Sequence, residues 1–300
     1  MARARLLLLG ALAWGGPTVL GAAEVALLKS SDVAAWRPTL DAFRKGTAGH
    51  TITEFDLRGD RSEAERVLGA LKGRGAILVT LGPMAAQVAR QFLPDVPLIY
   101  GMVQDPGKIG LTGPTVSGVA FSVPVKNQLA AFRLVFPRGS RIGLMSSDDR
   151  TVQEAQKAGA VVRVNVVSRA VASEREVPSV LRTLLKGADA VDAIWIPADP
   201  VLLGDETRRF ILAETLKDGK PVFSFSPALV AEGALVSDGP DLTSVGEQLA
   251  DLVNRTASGD KTAKGSLLVP RAELVINKKI ADKLRIEIPE DALRAANKVF

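Results

Sequence analysis

The sequence predicts an α/β protein: two doubly wound, Rossmann-like lobes around a central cleft. Three observations predict it. First, two stretches share one grammar. They are GAILVTLGPMAAQVARQFLPDVPLIYGMVQDP, from Gly75 to Pro106, and DAIWIPADPVLLGDETRRFILAETLKDGKPVFSFSP, from Asp192 to Pro227. Each reads apolar strand, polar loop, helix, short Pro-containing linker, apolar strand, which is a βαβ unit. Second, strand and helix patterns alternate through nearly all of the chain. Third, Ala76–Leu81 is unbroken apolar sequence, as a parallel strand covered on both faces requires.

In chain order, Glu24–Leu28 reads as the first strand. Asp32 is placed to cap a helix carrying Trp36, Leu40 and Phe43 and ending near Gly46. Thr51–Leu57 alternates like a strand. Asp60–Leu71 puts Ala64, Val67, Leu68 and Leu71 on one helical face. Ala76–Leu81, the helix Pro83–Phe92 and the strand Pro97–Gly101 form the first repeated unit. Asp105–Ser122 is rich in Gly, Pro and Thr and reads as an extended connection with a short strand at Ser117–Phe121. Helix Val125–Val135, strand Arg141–Met145, helix Thr151–Ala158, strand Val161–Val167 and helix Pro178–Leu185 open a second series, which the second repeated unit completes. Ala234–Asp238 is a further strand and Leu242–Arg255 a long amphipathic helix. The end of the chain, from Leu274, reads strand, short helix, turn at Pro289 and terminal helix. The chain is expected to cross between lobes near Val119–Pro124 and near Ser237–Asp241. The lobes then comprise residues 24–122 with about 238–258, and residues 123–237 with about 259–300.

Residues 1–23 have the grammar of a cleaved secretory signal peptide. Arg3 and Arg5 precede the apolar run Leu6–Trp14, and Gly21 and Ala23 suit cleavage before Glu24. The unbroken apolar run is too short to span a bilayer. The mature chain is expected to be periplasmic or secreted. Removing the two charges of Arg3 and Arg5 takes the net charge from +5 to +3. That is too weak and dispersed to imply nucleic acid. The chain has no Cys and one His, His50. Disulfides, thiolate nucleophiles and a lipidated cysteine are thereby excluded, and transition-metal ligands are scarce. No nucleophile elbow, Walker loop or dinucleotide fingerprint is present. No catalytic residue, metal site or cofactor is expected.

The candidate site is the set of loops that follow strands, because ligands of open α/β sheets bind at the carboxyl ends of strands. It contains Ser30 and Ser31, then Gly82, Pro83, Met84 and Ala85, then Gln104 and Asp105. From the other lobe come Ser146, Asp148, Asp199, Ser224 and Ser226. Free N–H groups at the start of the Pro83 helix favour an anion. Asp148 and Asp199 can accept from an amine or hydroxyl. Each acid has a second reading: Asp32, Asp148 and Asp149 as helix caps, Asp199 as a turn element before Pro200. Trp36 and Trp195 can stack on a ligand or belong to the core.

The chain resembles the solute-binding proteins of ABC transporters with the type I periplasmic-binding fold, in the group that includes tryptophan- and tyrosine-binding members. The resemblance is carried by an ordered series. It runs through LGPMAAQ at 81–87, PLIYGMVQDPGKIGL at 97–111, VSGVAFSVPVKNQL at 116–129, RIGLM at 141–145 and DAIWIPAD at 192–199. It continues with GKPVFSFS at 219–226, EGALVSDGPDLTSVGEQLADL at 232–252 and ELVINKKIADKLRIEIPEDALRAANKV at 273–299. It implies a receptor that closes on a small-molecule ligand and hands it to a membrane permease; the chain is expected to be a monomer. It also implies binding residues at Gly82–Ala85, at Gln104-Asp105 and at Asp199, with the Ser146 and Ser226 loops closing the other side. Amino-acid-binding relatives carry a small hydroxyl residue near Gly82 and an Asp in the loop that here reads Ser224-Phe225-Ser226; this chain has neither. The alternatives are a sensing module for a membrane receptor, with the same fold, and a periplasmic enzyme using paired acids.

Overall fold

The computed structural model describes residues 22–188 and 190–300. Most of the signal-peptide segment, residues 1–21, lies outside the described residues.

The chain opens β1 (Glu24–Lys29), α1 (Arg37–Gly46), β2 (Thr51–Asp56), α2 (Arg61–Leu71), β3 (Ile77–Leu81), α3 (Pro83–Phe92), β4 (Leu98–Gly101) and β5 (Val116–Val119). It then crosses to α4 (Val125–Val135), β6 (Arg141–Ser146), α5 (Asp149–Val162), β7 (Asn165–Ala170) and α6 (Val177–Lys186). There follow β8 (Ala193–Ile196), α7 (Asp205–Lys217), β9 (Val222–Ser224), α8 (Pro227–Glu232) and β10 (Val236–Pro240). A return excursion supplies α9 (Leu242–Ala257) and β11 (Leu267–Leu268), and the chain ends β12 (Ala272–Ile276), α10 (Lys278–Leu284), α11 (Glu290–Ala295) and β13 (Lys298–Val299).

The strands form two sheets, ordered β11-β5-β4-β3-β1-β2 and β13-β12-β10-β9-β8-β6-β7. Among the described residues all ladders are parallel except β10 with β12. Period-two alternation gives each sheet two covered faces. In the first, Val25, Leu27, Val79 and Ile99 pack under α1 and α9. Ala26, Leu28, Leu78 and Tyr100 pack under α2 and α3. In the second, Ile142, Leu144, Trp195 and Val236 face α4 and α5, while Ile194, Ile196 and Val222 face α6 and α7. Burying each such side chain contributes roughly 1.5–3 kcal/mol before conformational entropy is set against it. The two repeated units are therefore β3-α3-β4 in one sheet and β8-α7-β9 in the other.

Several local expectations shift. Asp32 pairs with Lys29 at 3.3 Å and caps nothing; a 3-10 turn at Ala34–Trp36 leads into α1 instead. Helix α5 runs on to Val162, through residues that alternate like a strand, until Arg163 turns left-handed at φ 59°. A Cβ on Gly159 would lie 2.5 Å from the Val164 carbonyl oxygen, so glycine lets the chain double back there. The chain end is a strand, with Lys298 beside Val275 and Val299 beside Ile276. The excursion into the first sheet starts later and lasts longer than expected: β10 belongs entirely to the second sheet, and β11 adds to β5. The sheets are thus linked by three crossings, at 120–124, at 241 and at 269–271.

Candidate functional site

The carboxyl ends of β1, β3 and β4 carry the loops of the first sheet that could meet a ligand. Ser30, which follows β1, is buried. Its N–H donates to the Leu81 carbonyl, and its hydroxyl accepts from the Ala85 N–H at 3.0 Å. Ser30 therefore caps α3 from outside the helix. Gly82, the residue before α3, has φ +90°. A Cβ there would come within 2.7 Å of Ser30 Oγ and 2.8 Å of Trp36 Cη2. Pro83 has no N–H and Ala85 has spent its own on Ser30, so Met84 N–H is the donor of the first turn still free to meet an anion. Ala85 is itself buried in the core, whereas Pro83 is exposed and Met84 and Ser31 half-buried.

After β4, Met102 takes a left-handed conformation and is buried. Gln104 is exposed. Asp105 accepts from Lys108 N at 3.1 Å through one carboxylate oxygen and from Arg150 Nη2 at 2.7 Å through the other.

That second bond crosses between sheets, since Arg150 lies in the first turn of α5. Lys108 answers from the opposite side, 3.6 Å from Asp148. Asp148 caps α5, accepting from Arg150 N and the Thr151 hydroxyl. Partial burial works to raise its carboxyl, but the Arg150 amide, Lys108, Thr151 and the Arg150 guanidinium prevail and hold it below the ordinary range. Asp105 and Asp148 thus face one another across the cleft, each occupied by cations of this chain.

Asp199 is 4 % exposed. Its Oδ2 accepts from Ser146 Oγ at 2.9 Å and from Ser147 N at 2.6 Å. Its Oδ1 accepts from Ser147 Oγ and Val201 N, both at 3.0 Å. Both oxygens are committed, so Asp199 ties the loop after β6 to the loop after β8. Ser224 is fully buried and accepts from Ser226 N at 3.2 Å. Ser226 is half-buried at the start of α8. Trp195 is 1 % exposed and stacks on Phe223 with ring centroids 6.0 Å apart, while Trp36 covers Gly82. His50 joins Ala23 N to Asn254, at 3.1 and 2.9 Å, far from these loops.

One acid escaped the sequence reading. Asp238 lies near the carboxyl end of β10, two residues before the chain leaves the second sheet, and is 6 % exposed. Among the described residues its carboxyl has no hydrogen-bond donor and no cation. Burial pushes its pKa up to about 6. The signal was present in ALVSDGP, an acid set into an apolar strand just ahead of a Gly-Pro turn, but the position reads equally as the end of a strand.

Two surface grooves lie elsewhere. One of about 540 Å³ runs between α7, α8 and α10, beside Arg208, Leu212, Glu232 and Ile280. The other, of about 280 Å³, lies beside Phe136, Arg138 and Ile286. Neither contains a predicted site residue. Among the described residues no group of His, Asp and Glu is arranged to hold a metal ion, and no helix is long and apolar enough to cross a membrane.

The family model described as ABC transporter substrate binding protein matches residues 52–300. No curated protein matches the chain. Among solved structures, it is similar to an ABC domain from Streptococcus pneumoniae in complex with L-Trp. The identity is 24%, the coverage 93% of this chain and 100% of that one, and the TM-score 0.70. It is also similar to the ligand-free, open form of a substrate-binding protein with adhesive properties from Clostridium difficile. That match has 17% identity, coverage of 93% and 99%, and a TM-score of 0.80. A carbohydrate transporter solute-binding protein from Agrobacterium radiobacter, in complex with D-arabinose, matches at 13% identity, coverage of 88% and 99%, and TM-score 0.56. At these identities the likeness is one of fold.

Proposed function

The chain belongs to the ABC transporter substrate-binding protein family, and from that premise we propose that it is a soluble periplasmic receptor. It captures a small polar molecule between its two lobes and delivers it to an ABC transporter permease. The observation that carries this reading is the 2.7 Å contact between Arg150 and Asp105, which sets the carboxyl edge of one parallel sheet against that of the other. Ligands of such sheets bind at that edge, and two opposed edges enclose a site that neither lobe has alone.

The mechanism is non-covalent. Ligand bridging the lobes favours the closed arrangement by the difference in its affinity for closed and open forms. The crossings at 120–124, 241 and 269–271 are the segments about which the lobes move. On the first lobe, Met84 N–H and the Ser31 hydroxyl are donors for an anionic or carbonyl group. On the second, the Ser226 hydroxyl and Asp238 complete the site. Asp199 has no free oxygen, so its part is to hold the Ser146-Ser147 loop in place. Asp105, Asp148, Lys108 and Arg150 form the rim. The segment 1–23 would direct export and be removed, leaving a monomer in the periplasm.

Mass spectrometry of the natively purified protein tests the reading, paired with thermal unfolding against a metabolite panel. A bound molecule released unchanged is expected, and re-adding it should raise the melting temperature by several degrees. Ligand at 100 times its Kd stabilises the native state by roughly 2.7 kcal/mol. Chemical conversion of the released molecule by the protein would replace this reading with an enzymatic one.

A further inference from the structure

We propose that Asp238 selects the ligand: its carboxylate, at the base of the cleft, binds a positively charged nitrogen on a small molecule. The inference rests on the ligand-binding reading above and names the chemical class that site accepts.

The position comes first. Strands β6, β8, β9 and β10 run parallel, so their carboxyl ends share one edge. Asp238 is on the last of them, beside the crossing at 241. Val236 packs toward α4, and Asp238, two residues on, shares that face. The backbone is fixed here, because a Cβ on Gly239 would lie 2.2 Å from the Phe225 carbonyl oxygen.

The surroundings supply no counter-charge. Across the antiparallel ladder stands Leu274, with Glu273 opposite Gly239. Helix α8 offers Leu229 and Val230 to the core. The nearby base Arg271 is engaged by Glu247 at 2.8 Å and Asp241 at 3.4 Å. Helix α4, which packs over β10, carries the base Lys126 near its start, and Lys126 forms no ion pair with Asp238.

A largely buried carboxylate with no cation costs free energy that a native fold rarely tolerates. A neutral hydroxyl can donate to it but leaves the charge uncompensated. An ammonium, amidinium or guanidinium group answers the charge and has donors to spare.

Calorimetric titration of the wild-type protein at pH 7.5 tests this with probes paired to differ in the cationic nitrogen. The pairs are L-tryptophan with indole-3-propionate, L-leucine with 4-methylvalerate, and choline with 3,3-dimethylbutanol; ribose and myo-inositol are neutral controls. At least one cationic probe should bind, its partner at least tenfold more weakly, and the isosteric Asp238→Asn variant should lose at least tenfold for that probe while melting no lower than wild type. Equal binding of both members of every recognised pair, or undiminished binding by Asp238→Asn, overturns the proposal. Binding of ribose or inositol alone also overturns it and leaves the receptor reading standing. If no member of the panel binds the folded protein and no small molecule co-purifies, the receptor reading fails and takes this inference with it.

Discussion

Arg150 Nη2 lies 2.7 Å from Asp105 Oδ2, and the bond joins the first turn of a helix on one sheet to a loop on the other. It is the shorter of two ion pairs between the two carboxyl edges, the other being Lys108 with Asp148 at 3.6 Å, but it is not a strong one. The Arg150 side chain is 57% exposed and that of Asp105 38%. Exposed pairs contribute roughly 0–1 kcal/mol and are screened by salt. A double-mutant cycle of Arg150→Ala and Asp105→Ala on urea unfolding should give a coupling below about 1 kcal/mol at low salt. It should vanish near 1 M salt, where the Debye length is about 3 Å. A coupling that persists at high salt would mean that the cleft rim is desolvated.

Asp199 carries more. Removing its carboxylate strands the N–H groups of Ser147 and Val201 and two serine hydroxyls. Leaving buried donors unpaired costs about 1–3 kcal/mol each, partly recovered by water in this loop. Asp199→Ala should therefore lower stability by roughly 2–4 kcal/mol. Asp199→Asn should rescue little, because whichever way the amide turns, its NH2 faces a backbone N–H. Denaturant midpoints within error of wild type for both variants would show that the loop does not depend on this residue.

The contrast between these two acids marks how far sequence carries. The lobes were legible because the parallel strands are buried on both faces, so Ile77–Leu81 and Ala193–Ile196 read as unbroken apolar runs. The Pro83 helix start was legible because Pro and Gly have few other uses at a strand–helix turn. What could not be read is which partner a polar side chain finds. Asp105 and Asp148 sit in the expected loops yet pair with Lys108 and Arg150. Ser30 caps a helix that begins more than fifty residues later. Asp238 looks like an ordinary strand end until the fold leaves it 6 % exposed. Local pattern fixes the backbone period; side-chain partners depend on contacts distant in sequence.

Gly82 is the tightest point of the first lobe. Its positive φ disfavours any side chain, and a Cβ would press on both Ser30 and Trp36. Gly82→Ala should cost roughly 1–3 kcal/mol from backbone strain, with more from the contacts. In a Trp36→Phe background the indole Cη2 is gone, so the same substitution should cost less by a measurable margin. Equal penalties in the two backgrounds would place the whole cost in the backbone and in Ser30.

Asp238 predicts how stability depends on pH. Its pKa is raised from 3.8 to about 6 by burial, so between those values the folded protein holds a proton that the unfolded chain has released. The stabilisation this brings is complete below pH 4 and is lost as pH rises through about 6. Each pKa unit corresponds to about 1.4 kcal/mol, and residual solvent contact reduces the total to something on the order of 2 kcal/mol. Asp238→Asn has no such titration. Glu273, also raised by burial with Asp241 adding and Lys298 opposing, is common to both proteins and cancels in the comparison. The variant should match the wild type near pH 3.5 and become progressively more stable than it up to pH 7. Urea unfolding of the ligand-free proteins across that range measures the difference. A difference that stays flat through the window would mean that the Asp238 carboxyl is solvated or already partnered.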